Sequence, residues 1–334
     1  MKSDTGELGG EILKSVSRSF YLTLRALPPG LREPISLAYL LARASDTIAD
    51  SASIPVETRA RHLRVFRRMV EYGANPDEIR DLQTEIVASD RGERALISQL
   101  GGCFAWLEAQ RAEDRADVVD VLGKISLGQE LDVLRFQNRE EVVALKNAAE
   151  LEEYTYLVAG CVGEFWTRIC FRHLRNFARA NDAAMHEFGI QFGQALQLVN
   201  ILRDLPADLR AGRCYLPADE ILAAGSAPEK PDDIVFDRWL ERAEILMDAG
   251  FRYIEATQTW RVRLACFLPW YLGMRTLVKL RETPPLATAQ RVKVSRREVR
   301  AALLLACAAA SSNTVLRAVR ARIISPEKTR AVSR

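Results

Sequence analysis

Apolar residues recur at three- and four-residue spacing along almost the whole chain, and long alternating runs rich in Val, Ile and Thr are missing. A helix buries such a stripe along one face, whereas a strand requires a period of two. The periodic stretches stop at breakers: Pro28-Pro29-Gly30, Gly73 with Pro76, Gly101-Gly102, Gly212, the loop from Gly225 to Pro231, and Pro284-Pro285. Between them the pattern predicts helices over 8–26, 31–51, 56–72, 77–110 with a break near Ser89–Gly92, 114–136, 148–179, 181–209, 232–258, 262–282 and 295–322. There is no repeat of fixed period, which excludes a solenoid, and no stretch has the composition of a linker. One all-α domain over 1–334 is expected.

Several chemistries lack their parts. No GxGxxG follows a strand and no GxxxxGK[ST] occurs, so neither a dinucleotide-binding fold nor a P-loop is available. The three histidines, His62, His173 and His186, form no HExxH pair, and the six cysteines form no CxxC pair. A reducing compartment follows from such scattered thiols. The N-terminus lacks the apolar core of a signal peptide. The apolar run Ala301–Ala310 is about half the length needed to span a bilayer. The expected location is therefore the cytosol, or at most the surface of a membrane. The net charge of +3 hides an asymmetry: residues 291–334 carry +9 and the preceding 290 carry −6. That basic stretch either meets an anionic ligand or lipid, or is a solvated helix face with a frayed tail. Nucleic acid is not expected, because no aromatics are interleaved with the charges.

Two pairs of aspartates stand out against the apolar background. Asp46 and Asp50 lie in ARASDTIADS, and Asp204 and Asp208 in QLVNILRDLPADLRAGRCYLP. A spacing of four places both carboxylates of a pair on one helix face, about 5–6 Å apart, where like charges repel. Gln197 and Asn200 extend the second pair into a polar stripe. Phe188, Phe192, Leu196, Leu198, Val199 and Ile201 leave little of that helix for solvent. One DxxxD on a solvated helix would be unremarked; two in apolar surroundings call for a cation. Oxygen-only ligands select a hard ion, and magnesium is typically completed by substrate phosphates. Arg18, Arg43, Arg203 and Arg213 supply guanidinium forks that match phosphate oxygens. A diphosphate ester held through Mg2+ is the chemistry these residues predict. A non-catalytic scaffold gives no reason for two such pairs.

At these residues the chain resembles the squalene/phytoene synthase family, the head-to-head prenyl-diphosphate synthases. The likeness is carried by SRSFYLTLRALPP, ARASDTIAD, YTYLVAGCVGEFWTRI and QLVNILRDLPADLRAGRCYLP, in the family's order. It implies an isoprenoid-synthase-type helical bundle whose aspartate-rich helices face a central cavity, and a prenyl diphosphate as substrate. It further implies that Asp46, Asp50, Asn200, Asp204 and Asp208 hold Mg2+, with Gln197 beside them. Arg18, Arg43, Arg203 and Arg213 would take diphosphate oxygens, and Tyr154 would serve the proton chemistry of the first half-reaction. Ala159, Gly160 and Gly163 fit either the passage of an isoprenoid tail or close helix packing.

Three departures or details refine this. Ala49 stands where many relatives carry an acid. Pro206 lies inside the second pair and predicts a kink or a helix end near Asp204. Thr47 follows Asp46, unlike the adjacent aspartates of head-to-tail elongases. The segments RLACFLPWYLGMRTLVKL and RVKVSRREVR resemble the squalene synthase branch. That likeness implies two farnesyl diphosphates joined through presqualene diphosphate and reduced with NADPH. Lys293 and Arg291 would meet the cofactor's phosphates, and the region around Phe267 the second-step cavity. The alternative is a synthase of phytoene, dehydrosqualene or presqualene diphosphate that lacks the reductive step.

Overall fold

A computed structural model describes residues 6, 8–17, 20–51, 53–88, 90–137, 141–283, 286 and 292–324. In chain order the helices are α1 (Leu13–Ser17), α2 (Phe20–Ala26), α3 (Pro29–Ala49), α4 (Val56–Tyr72), α5 (Pro76–Glu85), α6 (Arg91–Ser98), α7 (Leu100–Glu108) and α8 (Ala112–Arg135). A short strand β1 (Val143–Leu145) precedes α9 (Ala148–Thr155), α10 (Cys161–His173) and α11 (Asp182–Arg210). After β2 (Arg213–Pro217) come α12 (Ala218–Ala223), α13 (Asp233–Ala256), α14 (Trp260–Glu282), α15 (Arg296–Ser311) and α16 (Asn313–Ile324). Leu8–Ile12 and Tyr156–Gly160 are π-helical turns. The all-α expectation holds, and the described residues gather into two compact units.

The first unit comprises residues 1–138 and 156–175. Its centre is α3, which packs on α4 and α8. Pro29 opens α3, where its missing N–H costs nothing. Leu31, Leu37, Leu40, Leu41 and Ile48 of α3 are fully buried, each worth roughly 2 kcal/mol of transfer free energy. Asn75 and Asp90 cap α5 and α6 by accepting from Asp77 N and Gly92 N at 2.9 and 2.7 Å. Gly128 of α8 lets the Tyr156–Gly160 turn approach closely; a Cβ there would lie 2.8 Å from Val158 Cγ1.

The second unit comprises residues 139–155 and 176–334. Asn181 caps α11, and this helix packs along α13 and α14. The α11–α13 contact needs Gly250, since a Cβ there would lie 2.5 Å from Phe192 Cδ2. Phe267, assigned by resemblance to a cavity wall, is fully buried with its ring 5.9 Å from Trp270 and 5.8 Å from Tyr271.

Four expectations are corrected. First, of the kink or helix end expected near Asp204, the end does not occur: α11 continues through Pro206 to Arg210, close to the 209 that the periodicity gave. Leu205 and Pro206 are both buried there, so packing of this turn overrides proline's local preference. Second, β1 and β2 form a parallel pair, with Val143 opposite Arg213 and Ala144 opposite Cys214. Third, the stretch expected over 77–110 is three helices, with a further break at Gln99. Fourth, the last helix breaks at Ser312, whose backbone is extended.

Candidate active site

In the first unit, Asp46 sits in the last turn of α3 and Asp50 is its C-cap, donating its N–H to Asp46 O at 2.9 Å. Carboxylates at a helix C-terminus meet the negative end of the macrodipole as well as each other. Burial, and then the charge of Asp50, push the Asp46 carboxyl up to about 6, while Arg43 opposes them. Arg43 donates to Asp46 through Nη1 and to Glu93 of α6 through Nη2. Its Nε is buried without a hydrogen-bond partner among the described residues. One donor of the guanidinium thus remains unspent.

A cavity of 310 Å³ opens beside this cluster. Arg43 and Asp46 form its polar end, and Ile125, Val158, Val162, Phe165 and Trp166 are among its apolar walls. Val158 belongs to the π-helical turn, an irregularity often found at functional sites. Val158 both packs closely against Gly128 and lines the cavity, whereas Ala159, Gly160 and Gly163 are not among its lining residues. Tyr156 is engaged elsewhere, donating to Glu164 at 2.9 Å beside Lys124. Burial and that hydrogen bond push its phenol above the usual tyrosine range.

In the second unit, the C-terminal end of α11 presents Asp204 and Asp208. Arg203 grips Asp204 with both forks, Nε to Oδ1 at 3.0 Å and Nη2 to Oδ2 at 2.6 Å. Arg213 donates to Asp208 Oδ1 at 2.8 Å. Gly212, at φ 78°, makes the tight reversal that brings Arg213 of β2 back to Asp208, a backbone conformation suited to glycine. Gly212 O also accepts from Val143 N at 3.0 Å, which anchors the reversal to β1. Tyr154 of α9 is 9% exposed and stacks on Tyr215 of β2, with centroids 5.0 Å apart and planes 21° apart. Strand β2 therefore carries both Arg213, which meets Asp208, and Tyr215, which stacks on Tyr154. Gln197 and Asn200 lie half-buried two turns and one turn before Asp204, respectively, with Asn200 Nδ2 3.5 Å from Gln197 Oε1.

Each aspartate pair thus meets an arginine, and each sits at the C-terminal end of a long helix. Oxygen-only donors at a negative helix end suit a hard divalent cation. Among the described residues no three His, Cys, Asp or Glu side chains come together as a ready metal cage. Two carboxylates with waters and phosphate oxygens is the arrangement magnesium commonly accepts, so the donor set fits that ion. Glu93 and Tyr215 were missed by sequence reasoning, since neither lies near its partner in the chain. Arg18 and Arg291 lie outside the described residues. Lys293 is exposed, and its backbone carbonyl accepts from Lys279 Nζ at 3.2 Å.

Residues 13–298 match the squalene/phytoene synthase family. The chain belongs to that family. Its members are prenyltransferases that condense prenyl diphosphates head to head. The chain is 30% identical over 232 residues to presqualene diphosphate synthase of Sinorhizobium fredii, covering 69% of this chain and 68% of that one. It is 25% identical over 296 residues to 15-cis-phytoene synthase of a Paracoccus species, covering 86% and 85%. Against the bifunctional lycopene cyclase/phytoene synthase of Phaeosphaeria nodorum, by contrast, it spans 34% of that protein's length. The structure of TcSQS in complex with the ligand BPH1237 shares the fold, with a TM-score of 0.76, 19% identity, and 99% and 94% of the two chains covered. Among the described residues no helix is long and apolar enough to cross a membrane.

Proposed function

We propose that the chain joins two farnesyl diphosphates head to head through presqualene diphosphate and then reduces that intermediate to squalene with NADPH. The observation that carries the reading is the pairing of every expected aspartate motif with an arginine; Tyr154 stacks on Tyr215, two residues along β2 from Arg213. Arg43, Arg203 and Arg213 neutralise Asp46, Asp204 and Asp208. When a diphosphate arrives, these guanidiniums are placed to turn from carboxylate to phosphate oxygens. Magnesium, when bound, would supply charge for the departing diphosphate. The arginines add fixed positive charge at the same oxygens, which lowers the barrier to an allylic cation. The apolar cavity beside Asp46 keeps water from that cation and receives a prenyl chain. Closing the cyclopropane releases a proton, which Tyr154 is placed to relay. An unperturbed phenol is a poor base near neutral pH, so the released diphosphate is the natural acceptor. In the reductive half, Lys293 and Arg291 would meet the phosphates of NADPH.

The assay supplies farnesyl or geranylgeranyl diphosphate with magnesium, with and without NADPH, and identifies the hydrocarbon. Squalene formed from farnesyl diphosphate and only with NADPH is the expected result. A forty-carbon product, or one indifferent to NADPH, would overturn it. In the same assay Asp46→Asn and Asp204→Asn should each lower kcat by about 10²-fold or more, the loss typical of removing a charge-stabilising group. A second reading has one observation in its favour. The S. fredii relative is a presqualene diphosphate synthase, and an analogous product would accumulate here as the diphosphate whether or not NADPH is present.

A further inference from the structure

A broad, open pocket of 810 Å³ in the second unit shares no residue with either aspartate cluster. Arg179, Trp260, Arg263, Cys307, Ser311 and Asn313 contribute to its lining, and none of the described lining residues is acidic. Arg263 is the unusual member. It is 6% exposed, yet it has no carboxylate partner among the described residues. Its Nη1 donates to the carbonyls of Thr257 and Glu255 at 3.1 and 3.5 Å, and its Nη2 to that of Ala309 at 3.2 Å. Those carbonyls belong to the C-terminal ends of α13 and α15, so one role of Arg263 is to cap two helices. Capping leaves Nε buried and without a partner.

Carbonyl dipoles do not cancel a full charge, and a second guanidinium adds to it. Burial, and then the charge of Arg179, pull Arg263 below the usual arginine range, with Glu255 opposing them weakly. Glu255 is itself committed to Arg317 at 2.6 Å. Arg179 is exposed, and its side chain makes no ion pair among the described residues. Asn313 leaves its Oδ1 buried without a partner while its Nδ2 donates to Glu255 O at 3.2 Å. Asn313 also opens α16, twelve residues long, so the positive end of that helix adds to the pocket. Two guanidiniums, a helix N-terminus and no acid make a basin of uncompensated positive charge.

We propose that this pocket binds a phosphate group, held by Arg179 at the N-terminal end of α16 and drawn there by the uncompensated charge of the buried Arg263 guanidinium. Guanidinium forks and helix N-termini share this preference for phosphate oxygens. Trp260, 50% exposed, offers a flat apolar face to whatever carries the phosphate. That carrier is either a soluble phosphate or diphosphate, or the headgroup of an anionic lipid.

Cys307 provides the readout. It is exposed and lines the pocket, whereas the other five cysteines are buried. The rate at which iodoacetamide modifies Cys307 in the folded full-length chain is measured at fixed pH and ionic strength. Four additions are compared: inorganic phosphate, inorganic diphosphate, phosphatidylcholine vesicles, and the same vesicles containing phosphatidic acid. A phosphate-bearing addition is expected to slow modification at least fivefold, in a saturable manner. Protection by the soluble anions identifies a soluble carrier, and protection by phosphatidic acid vesicles alone identifies a lipid headgroup. Arg179→Glu should abolish protection while leaving magnesium-dependent diphosphate release within twofold of the parent. Asp46→Asn should leave protection intact, so the outcome does not depend on the coupling reaction. The proposal fails if no phosphate-bearing addition protects, if phosphatidylcholine protects equally, if Arg179→Glu retains protection, or if Asp46→Asn loses it.

Discussion

Tyr154 and Tyr215 are stacked, buried and adjacent to Arg213, yet the two rings are separable by substitution. A stacked pair of this kind contributes about 0.5–1.5 kcal/mol beyond its area burial. Tyr154→Phe keeps the ring and removes only the hydroxyl. It should cost about 10²-fold or more in the rate of presqualene diphosphate formation. Tyr215→Ala removes the stacking partner instead, and should lower stability by about 3 kcal/mol by leaving a cavity. Kinetics and calorimetry on both variants test this; a Tyr154→Phe enzyme of parental rate would remove the hydroxyl from the chemistry. Which site residues were readable beforehand follows from distance along the chain. Each aspartate pair shows in the sequence because its members lie one helical turn apart. Glu93, fifty residues from Arg43, has no local pattern that points to the cavity, and only the packing of α6 on α3 brings it there.

At the scale of elements, the helical period gave most of the architecture, including the end of α11 near 209, and the interruption that Pro206 suggested near Asp204 did not end the helix. Burial of Leu205 and Pro206 holds the last turns of α11 in place, a tertiary term that no local rule contains. The β1–β2 pair was equally invisible, because three- and five-residue strands are too short to display a period. Ser295 and Glu298 form a capping box at the start of α15, and Glu298 also accepts from Arg275 and Lys279 of α14 at 2.8 and 2.9 Å. Burial alone would raise the Glu298 carboxyl, but Lys279, the Ser295 amide and Arg275 outweigh it and hold it at about 2. A depressed carboxylate adds stability above its unfolded value, near 4.5, and loses it as pH falls toward 2. Allowing for partial exposure, the gain at pH 7 is about 2 kcal/mol. Glu298→Gln should cost that much in urea unfolding at pH 7, with more than half of the difference gone by pH 3. A difference that stays constant down to pH 3 would assign the effect to shape, not charge.

Across the whole molecule, ligand binding and folding are one linked equilibrium. In each unit the arginines and aspartates of the motif pair with one another, so neither partner is left as an unpaired buried charge. Magnesium alone would have to displace an arginine and would still lack ligands, because the described residues form no three-membered cage. Diphosphate alone would draw the arginines away and leave the aspartates facing one another, a repulsion that already lifts Asp46. On the proposed function, only the two together would satisfy both sets of charges, and their binding would then be cooperative. A ligand at about 100 times its Kd stabilises the folded state by about 2.7 kcal/mol. For a chain of this length the unfolding entropy is about 0.7 kcal/mol per kelvin, so the joint shift in Tm should be about 4 °C. Magnesium or diphosphate added singly should each move Tm by less than about 1 °C. Asp46→Asn should reduce the joint shift by at least half, because diphosphate then lacks one of its bridging ions. Scanning calorimetry with the four combinations decides it: a full shift from magnesium alone would require a complete protein cage, and the three Asp–Arg pairs would then have no part in binding.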